Sequence, residues 1–163
     1  SYIRDISNVL DEGFVLTIDY GDLSEGLYSM SHRKHGTIRS FKNNVQISNV
    51  LNEPGNQDIT SHVNFTILIG KGNQLGLKLV DFTSQSTFMK NTGLDWMISR
   101  LDVASIDRAT YVLNKRRISN LIDENGLGGF KVLIQAKGPL TLIHINSLEL
   151  LETLKVPLMV ADI

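Results

Sequence analysis

The spacing of apolar positions changes several times along the chain. Between residues 3 and 10, apolar side chains recur every three or four positions. The pattern stops at Gly13, a residue that readily takes the left-handed conformation at helix ends. A compact apolar run follows at residues 14–18 and closes on the polar Asp19. We therefore predict a short helix and then a central strand covered on both faces.

The segment 22–55 is polar and rich in turn-forming residues. Two stretches within it, 37–41 and 45–50, have extended character. Because ligands of open α/β sheets lie beyond the carboxyl ends of the strands, a loop that follows a central strand could cover a site. We predict such a loop here, with a possible hairpin inside it.

Further elements follow from the period and composition of the remaining sequence. A helix is predicted to start near His62, where the side chain of Thr60 or Ser61 can accept hydrogen bonds from free amides of the first turn. The other predicted elements are a strand at 77–82, a helix through Phe88 to Leu101, a helix starting at Ser105 with Asp107 in its first turn, a strand at 130–135, and an apolar tail with extended segments at 140–145 and 156–160 around a helix at 147–154.

Length and charge narrow the classes of function. A chain of 163 residues fits one domain with a single core. Its 16 Lys and Arg against 17 Asp and Glu give no basic excess that would attract nucleic acid or an anionic membrane. The absence of cysteine excludes a disulfide framework, a thiolate metal site and a cysteine nucleophile. It is also compatible with a reducing compartment, so we expect a cytoplasmic protein. No apolar run reaches the roughly 20 residues of a membrane span, so we expect a soluble chain.

Two glycine-rich stretches invite a nucleotide-binding interpretation. The first, 70–76, follows an apolar run, but a strand-like segment comes next and Asp81 lies too close to bind a ribose. The second, 126–129, precedes a strand instead of following one. We therefore do not interpret the first as a cofactor turn, and the family resemblance described below implies a helix and turn there; we interpret the second as a loop.

Charged and imidazole side chains suggest other candidate sites. His32 and His35, together with His62, could supply three imidazoles, but carboxylates at metal-ligand spacing are absent nearby. We favour a solvated basic loop at 32–35 and predict no metal. The basic run 115–117 lies on a predicted helix, where a charged outer face is normal, so we assign it no partner.

Two pairs of residues have a possible catalytic role. Asp19 and Tyr20, at a strand's carboxyl end, could orient a substrate or transfer a proton, or they could only terminate the strand. Asp58 and His62 are four residues apart and would share a face if both were helical, so the carboxylate could fix the imidazole tautomer. The alternative is that Asp58 braces a turn and His62 is a satisfied residue at a helix start.

Several short motifs occur in an order that resembles the MidA-type methyltransferases, the family that includes the mitochondrial complex I assembly methyltransferase. The similarity runs from about Gly13 to Lys137. Two departures are Asn64, where the family usually has Asp, and Asn44, where His is common. The motifs are Ile18-Asp19-Tyr20-Gly21, Tyr28, Arg33 and Gly36-Thr37-Ile38-Arg39, Pro54-Gly55 with Asp58 to Phe65, Thr83 and Gln85 with Phe88, and Phe130-Lys131-Val132-Leu133.

The resemblance implies an α/β fold, the C-terminal part of a class I methyltransferase Rossmann-like sheet with its fifth, sixth and seventh strands. It implies that residues 1–138 are the substrate-side half of the domain and that 139–163 are an apolar tail of unassigned role. The first half, with the turn that binds S-adenosylmethionine, is expected to be absent, so the chain alone should bind no cofactor and be inactive. The implied methyl acceptor is a protein arginine.

The resemblance also implies site residues. Asp19, Tyr20, Asp58 and His62 are the candidate catalytic residues; Gly21, Arg33, Thr37, Arg39 and Gln85 are the candidate substrate-binding residues. The competing hypothesis is a non-catalytic protein-interaction module. In either case a sheet that lacks half its strands should expose apolar surface, which predicts a homo-oligomer or a missing N-terminal partner.

Overall fold

A computed structural model describes residues 2–29, 36–43, 45–47, 49–103 and 106–139. Arg33, the His32 and His35 pair, Asn44 and the tail from residue 140 lie outside the described residues. The elements are, in chain order, α1 (Tyr2–Val9), β1 (Gly13–Asp19), β2 (Gly21–Asp22), α2 (Ser24–Tyr28), β3 (Arg39–Lys42), β4 (Val45–Ile47), β5 (Asp58–Thr60), β6 (Val63–Asn64), α3 (Phe65–Gln74), β7 (Lys78–Ser84), α4 (Gln85–Asn91), α5 (Leu94–Val103), α6 (Arg108–Ile122), a turn of 3-10 helix (Leu127–Gly129) and β8 (Lys131–Lys137).

The main sheet has the strand order β1-β8-β7. The last strand in the sequence, β8, lies in the middle and runs antiparallel to both neighbours. β1 and β7 are therefore parallel to each other, and their carboxyl ends meet at one edge of the sheet. Asp19 at the end of β1 and Ser84 at the end of β7 both pair with Lys131 at the start of β8.

The predicted central strand at 14–18 is an edge strand among the described residues. Its side chains alternate in exposure, with Phe14 41%, Leu16 52% and Ile18 44% exposed. The strand buried on both faces is β8, in which five consecutive residues, 132–136, are buried. Among the described residues β1 has one neighbouring strand, so its predicted position as a central strand covered on both faces stays a prediction.

One face of the sheet packs against α3, which in turn packs against α1. Phe65 of α3 is fully buried, and its ring centroid lies 5.2 Å from that of Phe82 in β7. Gly72 faces the buried Gln135 so closely that an added Cβ would lie 2.0 Å from the Nε2 atom of Gln135. The Ser7 hydroxyl of α1 donates to the Leu75 carbonyl at 2.7 Å.

The glycine-rich stretch 70–76 is a helix followed by a turn. Gly70 and Gly72 are inside α3, and Gly76 (φ +85°) follows this helix in a turn, which confirms the helix-and-turn interpretation.

Two of the predicted helices differ from the observed ones. The helix predicted through Phe88 to Leu101 is two helices, α4 and α5, which separate at Gly93 with a φ of 93°. The helix predicted from Ser105 begins at Arg108, and Asp107 is its N-cap. The break occurs where a glycine in the left-handed region ends a helix with little strain.

The N-cap of α6 makes the stability of that helix depend on pH. The Thr110 hydroxyl and the Thr110 and Ala109 amides donate to the Asp107 carboxylate, and these hydrogen bonds hold the pKa of Asp107 below its usual value. The stabilisation is complete above the unfolded pKa of about 3.9 and is lost as the pH falls through the folded pKa. We expect helical circular dichroism to decrease on acidification below about pH 4, and the decrease to be smaller in Asp107→Asn, which can cap but not titrate. Identical pH curves for the two proteins would contradict this role.

Within the described ranges, no helix is both long and apolar enough to cross a membrane. The same part of the chain has no group of three or more His, Asp or Glu side chains that could hold a metal ion.

Candidate functional site

The carboxyl ends of β1 and β7 and the amino end of β8 form a shared edge of the sheet. Tyr20 directly follows β1, Gln85 directly follows β7, and Phe130 directly precedes β8. The backbone amide of Gln85 donates to the Phe130 carbonyl at 2.7 Å, which fixes these two segments against each other. Motif residues that are far apart in the sequence therefore lie close together here.

Three half-buried rings form an aromatic cluster at this edge: Tyr20, His62 and Phe130. The ring centroids of Tyr20 and His62 are 5.5 Å apart with an interplanar angle of 75°. Those of Tyr20 and Phe130 are 5.7 Å apart at 66°. Both are edge-to-face contacts, the arrangement that the aromatic quadrupole favours. Tyr20 is thus the central ring, held between a residue of the loop region and a residue of the sheet.

A short parallel pairing brings His62 to Tyr20. β2 pairs with β6, and the Val63 amide donates to the Tyr20 carbonyl at 3.0 Å. A Cβ added to Gly21 would lie 2.1 Å from the Val63 carbonyl oxygen. Only glycine allows this approach, so the glycine of the Ile-Asp-Tyr-Gly motif has a packing role in addition to any contact with substrate.

Asp19 lies at the last position of β1, next to the aromatic cluster. One of its carboxylate oxygens, Oδ1, accepts a hydrogen bond from the Tyr20 amide at 2.7 Å. The side chain is half-buried, and the second oxygen, Oδ2, is not used by that bond. Asp19 therefore orders the end of the strand while keeping an acceptor at the edge where the candidate residues meet.

The loop region contains a second sheet with the strand order β4-β3-β5. The hairpin of β3 and β4 was predicted, whereas β5 was not. Thr37, which precedes β3, accepts a hydrogen bond at its hydroxyl oxygen from the His62 amide at 3.2 Å. Arg39 pairs with Thr60 through the backbone, and its guanidinium donates to the Ile38 carbonyl at 2.8 Å. The loop sheet is thus connected to the aromatic cluster at His62.

Asp58 and His62 do not share a helix face, because neither residue is helical. Asp58 lies in β5, where it pairs with Phe41, and His62 precedes β6 in non-helical backbone. The helix predicted near His62 begins instead at Phe65. The pairing of β6 with β2 requires extended backbone at residues 63 and 64, which delays the start of the helix.

Asn64, one of the departures from the family pattern, caps α3. Its Oδ1 accepts from the Ile67 amide at 3.2 Å, as an aspartate oxygen would. Its Nδ2 donates to the Ser24 hydroxyl at 2.9 Å, which a carboxylate could not do. The substitution therefore keeps the cap and adds a donor that ties α3 to α2.

Gln85 was predicted to bind substrate, and in the structure its side chain makes a hydrogen bond to the backbone of another element. Its Nε2 donates to the carbonyl of Leu121, at the end of α6, at 2.9 Å. The preceding residue Ser84 caps α4 by accepting from the Thr87 amide at 3.1 Å. The Thr83-Ser84-Gln85 motif thus connects the end of β7 to two helices.

Phe130 was not predicted as a site residue. Sequence reasoning used it only as the first residue of a strand, because nothing local distinguishes it from a core phenylalanine. The only signal for Phe130 is that it directly precedes β8, the strand that starts where β1 and β7 end. This relation can be recognised only once the strand order is known.

Two described glycines, Gly72 and Gly21, lack the open space that a cofactor-binding turn needs. Gly70 and Gly72 are inside α3, and the space beside Gly72 is filled by Gln135. The space beside Gly21 is filled by the Val63 carbonyl. A nucleotide-binding turn needs backbone amides that are open to the ligand, so Gly72 and Gly21 do not fit the adenosyl group of S-adenosylmethionine.

Comparison with known proteins decides the family. The profile of a family described as "Putative S-adenosyl-L-methionine-dependent methyltransferase" matches residues 1–83 of the 163. The chain belongs to this family. The prediction of an S-adenosylmethionine-dependent methyltransferase family is confirmed at that level. No curated protein matches the chain.

Two crystal structures of one superfamily from Burkholderia thailandensis are similar to the chain, each with 28% sequence identity over 83% of it. One is of an uncharacterized protein, with a TM-score of 0.75, and the chain covers 36% of its length. The other is bound to S-adenosyl-homocysteine, with a TM-score of 0.73 and 35% of its length covered. The chain therefore spans a little over a third of these proteins, and it shares their mixed α/β architecture.

Proposed function

We propose that this chain forms the substrate-side, C-terminal half of a MidA-type S-adenosylmethionine-dependent methyltransferase, with β1, β7 and β8 as the fifth, sixth and seventh strands of a class I Rossmann-like sheet. The observation that supports this most is the meeting of the three strand ends at the aromatic cluster. An edge of this kind is where open α/β sheets bind their ligands.

The proposed site positions a methyl acceptor. Direct displacement of a methyl group needs an aligned nucleophile that has lost its proton or its water shell, and no covalent intermediate with the protein. Asp19 and Tyr20 at the sheet edge, and His62 beside them, are proposed to orient the acceptor. Asp58 is proposed to reach the same acceptor from the loop sheet.

The proposed acceptor is the guanidinium of a protein arginine. A carboxylate recognises a planar guanidinium through charge-assisted hydrogen bonds, and aromatic faces attract the same cation. Asp19 beside the aromatic cluster supplies both features. The backbone of Gly21, with Arg33, Thr37, Arg39 and Gln85, is proposed to shape the remainder of the substrate pocket.

The proposed cofactor site lies on strands outside this segment. The exposed apolar side chains of Phe14, Leu16 and Ile18, which we call the β1 stripe, lie on a strand at the edge of the sheet that the described residues form. The crystal structures are almost three times as long as the part that the chain matches. We propose that residues 1–138 complete a larger domain, that 139–163 form a separate tail, and that the protein works in the cytoplasm without nucleic acid or membrane partners.

The second candidate function is a non-catalytic protein-interaction module. The β1 stripe favours it, because an exposed apolar edge strand is a surface on which another chain can pair. The occupant would then be a second copy or another protein, instead of the cofactor-binding half of the same enzyme.

Calorimetric titration with S-adenosylmethionine separates these possibilities. We expect no saturable binding to the 163-residue chain and one-to-one binding to a longer polypeptide that contains it, because we propose that the cofactor-binding strands lie in the part of the similar proteins that this chain does not cover. One-to-one binding to the 163-residue chain would overturn the assignment of the cofactor site to other strands. Failure of the longer polypeptide to bind would favour the interaction module.

A further inference from the structure

Lys131, the first residue of β8, places a positive charge at the sheet edge where Asp19 lies. It pairs with Asp19 of β1 on one side and with Ser84 of β7 on the other. Directly opposite residues of antiparallel strands have their side chains on the same face, with Cβ atoms about 4.5–5.5 Å apart. Asp19, Lys131 and Ser84 therefore form one row across the three strand ends, which we call the charged row.

The charged row lies on the face of the sheet that packs against α3, at the point where this helix begins. On that face, the next row inward contains Leu133 paired with Phe82, and Phe82 packs against Phe65, the first residue of α3. Gly72, later in the helix, faces Gln135, which is one row further inward. The helix thus starts over the row next to the charged row and runs away from the edge, and Asp19 and Lys131 are only half-buried.

The charged row contains one anion and one cation. The Ser84 hydroxyl is used by α4, where it accepts from the Thr87 amide at 3.1 Å. One oxygen of Asp19 accepts from the Tyr20 amide. Among the described residues, the Lys131 ammonium makes no ion pair and no hydrogen bond. A ligand at this edge therefore meets a carboxylate and an ammonium side by side.

This arrangement disfavours a ligand that brings positive charge alone. A guanidinium held by Asp19 would lie close to the Lys131 ammonium, because the two side chains are direct neighbours. The two cations would repel each other. A carboxylate on the same ligand removes this repulsion by pairing with Lys131 through charge-assisted hydrogen bonds. A direct contact between Asp19 and Lys131 at a half-exposed site would be weak, so such a ligand can replace it.

We propose that Lys131 is a specificity-determining residue that binds a carboxylate next to the arginine held by Asp19. The preferred acceptors are then protein segments in which Asp or Glu flanks the methylated arginine. This inference rests on the proposed function and names the substrate class of the same site.

Methylation of matched peptides by the complete enzyme tests the role of Lys131. Three short peptides are identical except at the two positions flanking the arginine, which are both Glu, both Gln or both Lys. We expect kcat/KM to be at least about tenfold higher for the Glu peptide than for the Lys peptide, with the Gln peptide between them. Lys131→Glu should reverse this order, and Lys131→Gln should bring the three values to within about twofold of one another.

Lys78→Glu is the matched control, because it makes the same change of charge at the opposite end of the sheet. Lys78 is the exposed first residue of β7 and pairs with Ala136. It should keep the wild-type order of the three peptides. A reversal in Lys78→Glu as well would mean that overall charge sets the order, which would overturn the role of Lys131. If Lys131→Glu does not fold, Lys131→Gln provides the test with a side chain of similar length and no charge.

The outcomes separate this inference from the proposed function. Equal kcat/KM values for the three peptides in the wild-type enzyme, or an unchanged order in both Lys131 variants, would overturn the inference and leave the proposed function in place. A higher KM for S-adenosylmethionine in the Lys131 variants, with the peptide order unchanged, would also overturn it and would identify the cofactor as the source of the carboxylate. If the wild-type enzyme methylated none of the peptides, the arginine acceptor of the proposed function would itself be contradicted.

Discussion

Replacing Gly21 by alanine is expected to lower the free energy of unfolding by about 3 kcal/mol, a large effect for one methyl group. The added Cβ would lie 2.1 Å from the Val63 carbonyl oxygen and 2.9 Å from the Val63 nitrogen and carbonyl carbon. All three are backbone atoms, so no side-chain rotation can relieve the contact. The hydrogen bond from the Val63 amide to the Tyr20 carbonyl would have to lengthen or break.

Gly70→Ala is the matched control for this substitution, and chemical denaturation of both variants measures the difference. Gly70 is inside α3, and an added Cβ there meets nothing within 4 Å. Because alanine stabilises a helix more than glycine does, Gly70→Ala should raise the free energy of unfolding by up to about 1 kcal/mol. If Gly21→Ala lowers the free energy of unfolding by less than about 0.5 kcal/mol, the pairing of β2 with β6 contributes little to stability. That result would mean that this pairing does not hold His62 in place.

Strands with a strong local signal could be predicted from the sequence. The runs at 14–18 and 130–135 appear as β1 and β8 because each combines β-forming side chains with turn residues at its ends. β5 was missed because Asp58-Ile59-Thr60 is too short and too polar to differ from a loop. It becomes a strand only through its backbone pairing with β3.

The start of α3 shows why local capping rules were insufficient. Thr60, Ser61 and Asn64 all have side chains that can cap a helix. The parallel pairing of β2 with β6, between segments about 40 residues apart, selects Asn64 by keeping residues 63 and 64 extended. A tertiary contact therefore decided among equivalent local signals, and with it the relation of Asp58 to His62.

The candidate site was predicted in part, since the motifs named Tyr20 and His62 but not their contact. Their rings meet because β2 and β6 pair, and Phe130 joins them because β8 lies beside β1. Neither relation is encoded in the spacing of a single motif. Sequence identified the residue types at this edge, and the strand order determined which of them are neighbours.

The sharpest test of the proposed chemistry is Asp19→Asn in the complete enzyme, where we expect kcat/KM for methyl transfer to fall by about 100-fold. Losing the negative charge removes charge-assisted hydrogen bonds to a guanidinium, worth about 1.5–3 kcal/mol, and any assistance in removing its proton. The fold should be kept, because an asparagine Oδ1 can still accept from the Tyr20 amide. Unchanged thermal unfolding would show that the loss is chemical.

Asp81→Asn provides the control, because Asp81 is an exposed carboxylate within β7, three residues before the strand ends at Ser84. It changes the net charge by the same amount at a distance from the aromatic cluster, so kcat/KM should stay within about twofold. If Asp19→Asn retained full activity while Asp58→Asn lost it, the acceptor would be held from the loop sheet instead of the sheet edge. Full activity in both Asp19→Asn and Asp58→Asn would contradict the proposed recognition of the acceptor by a carboxylate. The acceptor would then have to be a group that needs no anionic partner.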